Sequence, residues 1–385
     1  MKHTLILLAF LLFASLSAPA QTPYAVDRNG RRPAPVITAP GHCAWPNLKV
    51  LKDGKTLAAL IFNNESHGHQ PGDIECWLST DGGVTWKFGS AATQHEPETI
   101  RMNHAAGLAA NGDMLVFTSG WSNRWPAGVS RTRGRFRFAV LGPWLSRSPD
   151  GGLSWWLEKE AFPQNTSAGQ PAVPFGDVQR AANGDLCVVV YSTQGPWDKY
   201  EERRFRSYLY RSANDGKTWS EAAVIGPDSN ETNILHLGDG RWLACARAGS
   251  GVEKKDFMEL FVSRDDARTW QWQRKLTGFQ HVNGHLLKLN DGRVLFCYGD
   301  RASAFGKRGI EAMISADSGV TWSDPIRLID WNGLDGGYPS SVQRADGEIV
   351  TAYYCSALPD EPADSYKGYH MEVIVWNAAR SFPKP

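Results

Sequence analysis

A surplus of charge of either sign is missing from this chain: 41 Lys and Arg stand against 40 Asp and Glu, a formal net charge of +1. Nucleic-acid binders carry a clear basic excess, so no nucleic-acid partner is expected. Long apolar runs are equally scarce. One run, Leu5 to Leu16, is too short to span a bilayer, and no second follows, so no membrane span is expected. Lys2 and His3 precede that run and Ala18-Pro19-Ala20 follows it, the layout of a cleaved secretory signal. Residues 1–20 are therefore expected to be removed near Ala20. The mature chain, 21–385, is expected to be one domain, exported to the periplasm or secreted. No Cys adjoins the cleavage site, so no lipid anchor is expected.

Cysteine is sparse, with six in all. Such residues in an exported chain invite a disulfide reading. Yet Cys187, Cys245, Cys297 and Cys355 each fall in an apolar run of a separate repeat and read as buried small hydrophobes, which leaves room for one bridge among the six. No loop is dense enough in Asp to hold calcium. Neither His67-x-His69 nor the His281/His285 pair has the Cys or carboxylate spacing of a zinc site. No metal and no cofactor are expected.

What the chain has in plenty is aromatic side chains, with 16 Trp and 11 Tyr, and many of these belong to repeats. Ser79-Thr80-Asp81-Gly82-Gly83-Val84-Thr85-Trp86 returns around Asp150, Asn214, Asp265 and Asp317, each time ending in Trp. The common pattern, Ser-x-Asp-x-Gly-x-Thr-Trp, reads as a hairpin turn. Asp accepts bonds from turn amides, Gly takes the left-handed conformation, and Trp folds back as an apolar plug. A second series interleaves with it. Asp53-Gly54, Asn111-Gly112, Asn183-Gly184, Asp239-Gly240, Asp291-Gly292 and Asp346-Gly347 each separate two β-rich runs, the strongest short-range hairpin signal.

One unit thus reads as strand a, Asp-Gly turn, strand b, variable loop, strand c, Trp turn and strand d. Six such units predict an all-β, six-bladed β-propeller of four-stranded antiparallel blades. The sixth lacks the Trp turn but ends in Met371–Trp376, a strand suited to closing the ring. Strand direction then selects a face. Both turn series must lie on one edge of the blades, so a site should be built from the opposite edge, at the start of strand a and in the b–c loops. That edge offers Trp45, Glu65, His67 and His69, then His104, Arg124, Arg131 and Arg133. Further round come Glu231, Arg247, Asn283, His285, Arg301, Arg308, Asp335 and Tyr338.

The Ser-x-Asp-x-Gly-x-Thr-Trp turn is the Asp-box, and blades that carry it resemble the sialidase (neuraminidase) superfamily over nearly the whole mature chain. That resemblance implies a tyrosine nucleophile partnered by a glutamate, three arginines on the substrate carboxylate, and an aspartate acid/base. Gly336-Gly337-Tyr338-Pro339 occupies the place of the nucleophile, and Glu231 and Arg247 flank one Asp-Gly turn as the glutamate and second arginine do. Arg308 fits the third arginine. Two members differ. Ala44 of Ala44-Trp45-Pro46 stands where the first arginine is expected, and the acid/base loop reads Asn63-Asn64-Glu65-Ser66-His67-Gly68-His69. Asp73, the nearest aspartate, belongs to the start of strand c.

The surviving chemistry is coherent. A sugar with a carboxylate on its anomeric carbon repels a carboxylate nucleophile, whereas a phenol that gives its proton to Glu231 does not. His67 or His69 can supply the leaving-group proton in place of aspartate. Glu65, Trp45, His104, Arg247, Arg301 and Arg308 are the expected substrate contacts, with Arg124, Arg131 or Arg133 as sources of the missing charge. The expected function is a sialidase-type exo-glycosidase acting on a terminal acidic sugar of a glycan. A histidine-dependent hydrolase or lyase on uronic-acid glycans, or a silent glycan-binding propeller, are the alternatives.

Overall fold

The computed structural model describes residues 23–68, 70–124, 127, 139–194, 204–249, 256–303, 306–362 and 368–383. Apart from one short helix, α1 (Ala378–Ser381), the regular elements are strands. The first, β1 (Val36–Thr38), is only three residues long. After it come β2 (Asn47–Val50), β3 (Leu57–Phe62), β4 (Ile74–Ser79) and β5 (Lys87–Thr93), paired in that order as an antiparallel meander. The pattern repeats in β6 (Thr99–Leu108), β7 (Met114–Ser122), β8 (Ala139–Ser148) and β9 (Trp156–Glu158), and again in β10 (Val173–Arg180), β11 (Leu186–Gln194), β12 (Arg204–Ser212) and β13 (Ser220–Gly226). Next are β14 (Ser229–Gly238), β15 (Arg241–Ala248), β16 (Phe257–Ser263) and β17 (Gln271–Lys275), then β18 (His281–Lys288), β19 (Val294–Asp300), β20 (Gly309–Ser315) and β21 (Ile326–Asp330). The last are β22 (Gly336–Gln343), β23 (Ile349–Cys355) and β24 (His370–Trp376).

Short parallel contacts, β6 with β10 and β16 with β18, join four of these meanders into two eight-stranded sheets. The remaining two sheets have four strands each. In one of them β1 supplies the fourth strand, with Val36, Ile37 and Thr38 opposite Val373, Glu372 and Met371 of β24. A strand from the start of the chain therefore completes the last meander.

The opening strands of successive meanders neighbour one another: β2 meets β6 and β22, β6 meets β10, β10 meets β14, and β14 and β22 both meet β18. Side-chain bonds tie them together, among them Asn47 Nδ2 to the Gly176 carbonyl at 2.8 Å and Leu48 N to Ser340 Oγ at 2.9 Å. Second strands are the most apolar. Every residue of β3, β7, β19 and β23 is buried, as expected of strands covered on both faces. All six cysteines are free and buried, including Cys187, Cys245, Cys297 and Cys355 in the second strands. Outer strands are wetter, and Phe88, Trp156 and Trp272 stand exposed on them.

The Trp turns bond chiefly within themselves, although Trp155 of the second reaches Ser90 at 2.8 Å. In the first, Ser79 Oγ donates to Asp81 Oδ1 at 2.9 Å, Thr85 N donates to the same atom at 2.9 Å, and Thr85 Oγ1 donates to Asp81 Oδ2 at 2.6 Å. Trp86 closes the loop on the Gly83 carbonyl at 3.1 Å. The Thr85 hydroxyl and amide hold the exposed Asp81 carboxyl down at about 2. Gly83 adopts φ 95, as the pattern requires. The fourth turn departs from it: Ala267 replaces Gly and still takes φ 63.

Candidate active site

The first strands do more than line up; they buckle. Pairing registers slip between Arg101 and Asn103, Phe175 and Gln179, Ser229 and Thr232, Val282 and His285, and Gly337 and Ser340. Such bulges re-aim side chains away from the sheet. Here they aim them into one cleft of about 140 Å³. Trp45, Trp121, Phe175, Tyr191 and Tyr338 give it aromatic walls, and Asn103, Asn233, Asn283, His67, His104 and His285 give it polar ones. Three lining residues carry strain: Tyr338 has φ 53, Asn283 φ 62 and Trp45 φ 41. Each such non-glycine residue costs about 1–3 kcal/mol, and such strain clusters at functional sites.

Tyr338 donates its hydroxyl to Glu231 Oε1 in a short bond. The other oxygen of Glu231 accepts from Arg247 Nη1 at 2.7 Å and Asn283 Nδ2 at 3.0 Å. Burial raises the Glu231 carboxyl, but the Arg247 charge and the Tyr338 hydrogen bond outweigh it and hold the group below its usual range. Burial and the Glu231 charge both push the Tyr338 phenol well above its usual range. The proton therefore rests on tyrosine, with a carboxylate placed to receive it.

A second carboxylate-held pair faces the same cleft. His67 Nδ1 lies 2.6 Å from Asp335 Oδ2, and the imidazole stands edge-on to Trp45 with ring centres 4.8 Å apart. Asp335 also accepts from the Tyr354 and Tyr369 hydroxyls, each at 2.9 Å, and faces Arg301 Nη2 at 3.4 Å. Burial works to raise Asp335, but the His67 hydrogen bond and then the Arg301 charge prevail and hold it well below the usual carboxylate range. Once Nδ1 carries a proton toward this carboxylate, Nε2 is the nitrogen left for the cleft.

The remaining expected residues are distributed unevenly. Trp45 and His104 line the cleft, and burial drives the His104 imidazole down to about 4. Both His104 nitrogens sit 3.2 Å from backbone carbonyls, of Met102 and Leu60. Arg247, Arg301 and Arg308 are not among the lining residues. Arg247 is spent on Glu231 and on Asp256 at 2.8 Å. Arg301 donates to the Gly336 carbonyl at 3.0 and 2.8 Å, and Arg308 to the carbonyls of Arg301 at 3.3 Å and Gly333 at 3.2 Å. Glu65 is exposed outside the cleft, and Arg124 is exposed and donates to the Pro97 carbonyl at 2.9 Å. Asp73 is engaged by His95, whose amide lies 2.7 Å away. His69, Arg131 and Arg133 lie outside the described residues.

Asp335 in the role of histidine partner is what sequence reasoning missed, although strand direction had placed it on the correct edge. His285 is similar: Ser341 N donates to its Nδ1 at 3.4 Å, so the proton sits on Nε2 and points to Asp177 at 3.1 Å. Lys49 Nζ meets the same Asp177 at 2.6 Å. Both nitrogens of His285 are thus occupied within the cleft wall.

The BNR repeat-like domain model matches residues 55–351. Among solved structures, a Dyadobacter fermentans protein of unknown function is 24% identical, covers 90% of this chain and 98% of its own, and superposes with a TM-score of 0.72. A Hadza microbial sialidase is 16% identical over 88% of this chain and 66% of that one, TM-score 0.64. A Trypanosoma rangeli sialidase in complex with 2,3-difluorosialic acid, described as a covalent intermediate, is 14% identical over 94% of this chain and 58% of that one, TM-score 0.60. The chain thus spans little more than half of the trypanosomal enzyme. No curated protein matches the sequence. At these identities the structural likeness is one of fold. With a propeller-type all-β fold and a family model that runs through most of its length, the chain belongs to the BNR repeat-like family.

Proposed function

We propose that the protein is a sialidase-type exo-glycosidase that removes a terminal acidic sugar from a glycan by double displacement through Tyr338. The observation that carries this reading is the pairing of Tyr338 with Glu231 on the same cleft as His67 with Asp335. Tyr338 Oη attacks the anomeric carbon while its proton passes to Glu231. The bond to the leaving oxygen breaks, and that oxygen takes the proton from His67 Nε2. In the second half a water gives its proton to His67 and attacks the glycosyl-tyrosine, and the departing phenolate recovers its proton from Glu231. Trp45 and Phe175 flank the ring of Tyr338 at 6.3 and 6.1 Å and offer apolar faces to the sugar.

The same reading takes the meanders as six blades closed by β1 and the chain as exported after loss of residues 1–20. Hydrolysis of a fluorogenic sialic-acid glycoside by the mature chain, beside Tyr338→Phe, tests it. Release by wild type and loss in the variant are expected; no release by a folded wild type overturns sialic acid as substrate.

One observation favours a second reading. Ala44 stands where an arginine would face the substrate, and Arg247, Arg301 and Arg308 are all engaged away from the cleft lining. A bidentate clamp on a free carboxylate needs at least one of them released. A uronic-acid glycan recognised mainly through its hydroxyls, and cleaved by elimination between Tyr338 and His67, suits that arrangement. Its product is an unsaturated uronide, visible by ultraviolet absorption, and its appearance from acidic oligosaccharides would select this reading over hydrolysis.

A further inference from the structure

The strands that hold Asp335 carry a second cluster on their opposite face. Tyr354 and Tyr369 donate to Asp335, and the residues that follow them, Cys355 and His370, sit opposite each other across β23 and β24. Glu372, two residues along β24, completes the group. All three are buried: Cys355 and His370 are 0% exposed and Glu372 is 3%. His370 Nε2 lies 3.3 Å from Cys355 Sγ and 3.0 Å from Glu372 Oε1.

The hydrogen bonds around this trio orient it inward. His370 Nδ1 lies 2.5 Å from the Gly368 carbonyl, which can only accept, so the Nδ1 proton is committed there. Tyr353 donates to the other oxygen of Glu372, Oε2. His370 Nε2, Glu372 Oε1 and the Cys355 sulfur are therefore the atoms that face one another, close enough to share one ion. A proton on Nε2 serves only one acceptor, Glu372. The Cys355 thiol then shares the Glu372 carboxylate or makes a weak contact with the Ala357 carbonyl at 3.9 Å. A divalent cation serves all three donors at once.

We propose that Cys355, His370 and Glu372 form a structural zinc site beneath the cleft. The donor set is the nitrogen, sulfur and oxygen mixture zinc takes, and a histidine whose second nitrogen donates to a backbone carbonyl is the usual orienting arrangement. Zinc bond lengths in a tetrahedral site set donor separations of about 3.3–3.6 Å, a few tenths of an ångström more than those found. Thiolate, carboxylate and a divalent cation sum to zero, which suits a place without solvent. Bound there, the ion staples β23 to β24 one residue away from both tyrosines that hold Asp335, and so fixes the partner of His67. The inference stands on the trio itself and does not depend on the reaction catalysed.

The site is closed, so metal enters as the chain folds. The full chain is produced in medium supplied with zinc chloride, and separately with cobalt chloride, then dialysed against metal-free buffer. Expected are about one metal ion per chain by mass spectrometry and, in the cobalt form, a thiolate-to-cobalt charge-transfer band. Cys355→Ser should lose that band and at least about tenfold of the metal, while Cys43→Ser, which changes the thiol beside His67, keeps both. Wild type without metal in either medium overturns the proposal, whether or not the variants fold. So does a cobalt band that survives in both Cys355→Ser and Glu372→Gln.

Discussion

Asp81 and Asp335 are both carboxylates held below their ordinary range, and they achieve it in opposite ways. Asp81 is exposed in a turn, and its partners, Ser79 and Thr85, lie within four residues of it. Asp335 is buried at the cleft, and its principal partner, His67, is 268 residues away in the chain. The first carboxylate stabilises its own hairpin and is repeated with little change round the molecule. The second is held from far along the chain, as Asp177 is by His285. The turn carboxylates hold their own hairpins, whereas Asp335 holds a residue of the cleft.

The sharpest way to break this contrast is at Tyr338. Tyr338→Phe keeps the ring and its packing on Trp45 but removes the nucleophile, so turnover should fall by at least about 10³-fold with the fold retained, as a thermal melt beside the assay would show. His67→Ala should cost about 10²–10⁴-fold in kcat and flatten one limb of the pH–rate profile. Asp335→Asn should move the same limb through its effect on His67. By contrast, Asp81→Ala should leave kcat and KM unchanged and lower stability by about 1 kcal/mol in a denaturant titration, because only turn bonds are lost.

Acid sensitivity divides along the same line. His104 is buried, with its imidazole lowered from 6.5 to about 4 in the folded protein. A group depressed on folding contributes stability that is complete above its unfolded value and is lost as pH falls toward its folded one. The protein should therefore lose stability between pH 6.5 and about 4, and His104→Gln should flatten that part of the melting-temperature profile. The smallest effect is expected at the odd turn. Ala267 holds φ 63 where the other copies have glycine, so Ala267→Gly should stabilise by up to about 1 kcal/mol without touching activity.

How much could be read in advance follows from the same separation of ranges. The Asp-Gly and Trp turns, and the strands between them, were legible because their determinants lie a few residues apart. Tyr338, Glu231 and His67, singled out from the sequence, line one cleft, with Arg247 on Glu231 rather than on the lining. The strand β1 was not, because a three-residue run gains its meaning only from β24 across the chain. Nor were the commitments of the arginines, since Arg308 meets backbone carbonyls whose positions depend on loops brought together by folding. The left-handed backbone at Trp45 and Tyr338 and the bulges of the first strands carry no residue signature of their own; the surrounding sheet imposes them.

The most direct test of the central claim is to incubate the mature chain with 2,3-difluorosialic acid and follow the intact mass, then map any adduct by peptide digestion. The account predicts a single glycosyl adduct on Tyr338 that is absent from Tyr338→Phe. A folded wild type with no adduct, or an adduct that persists in Tyr338→Phe, would contradict it.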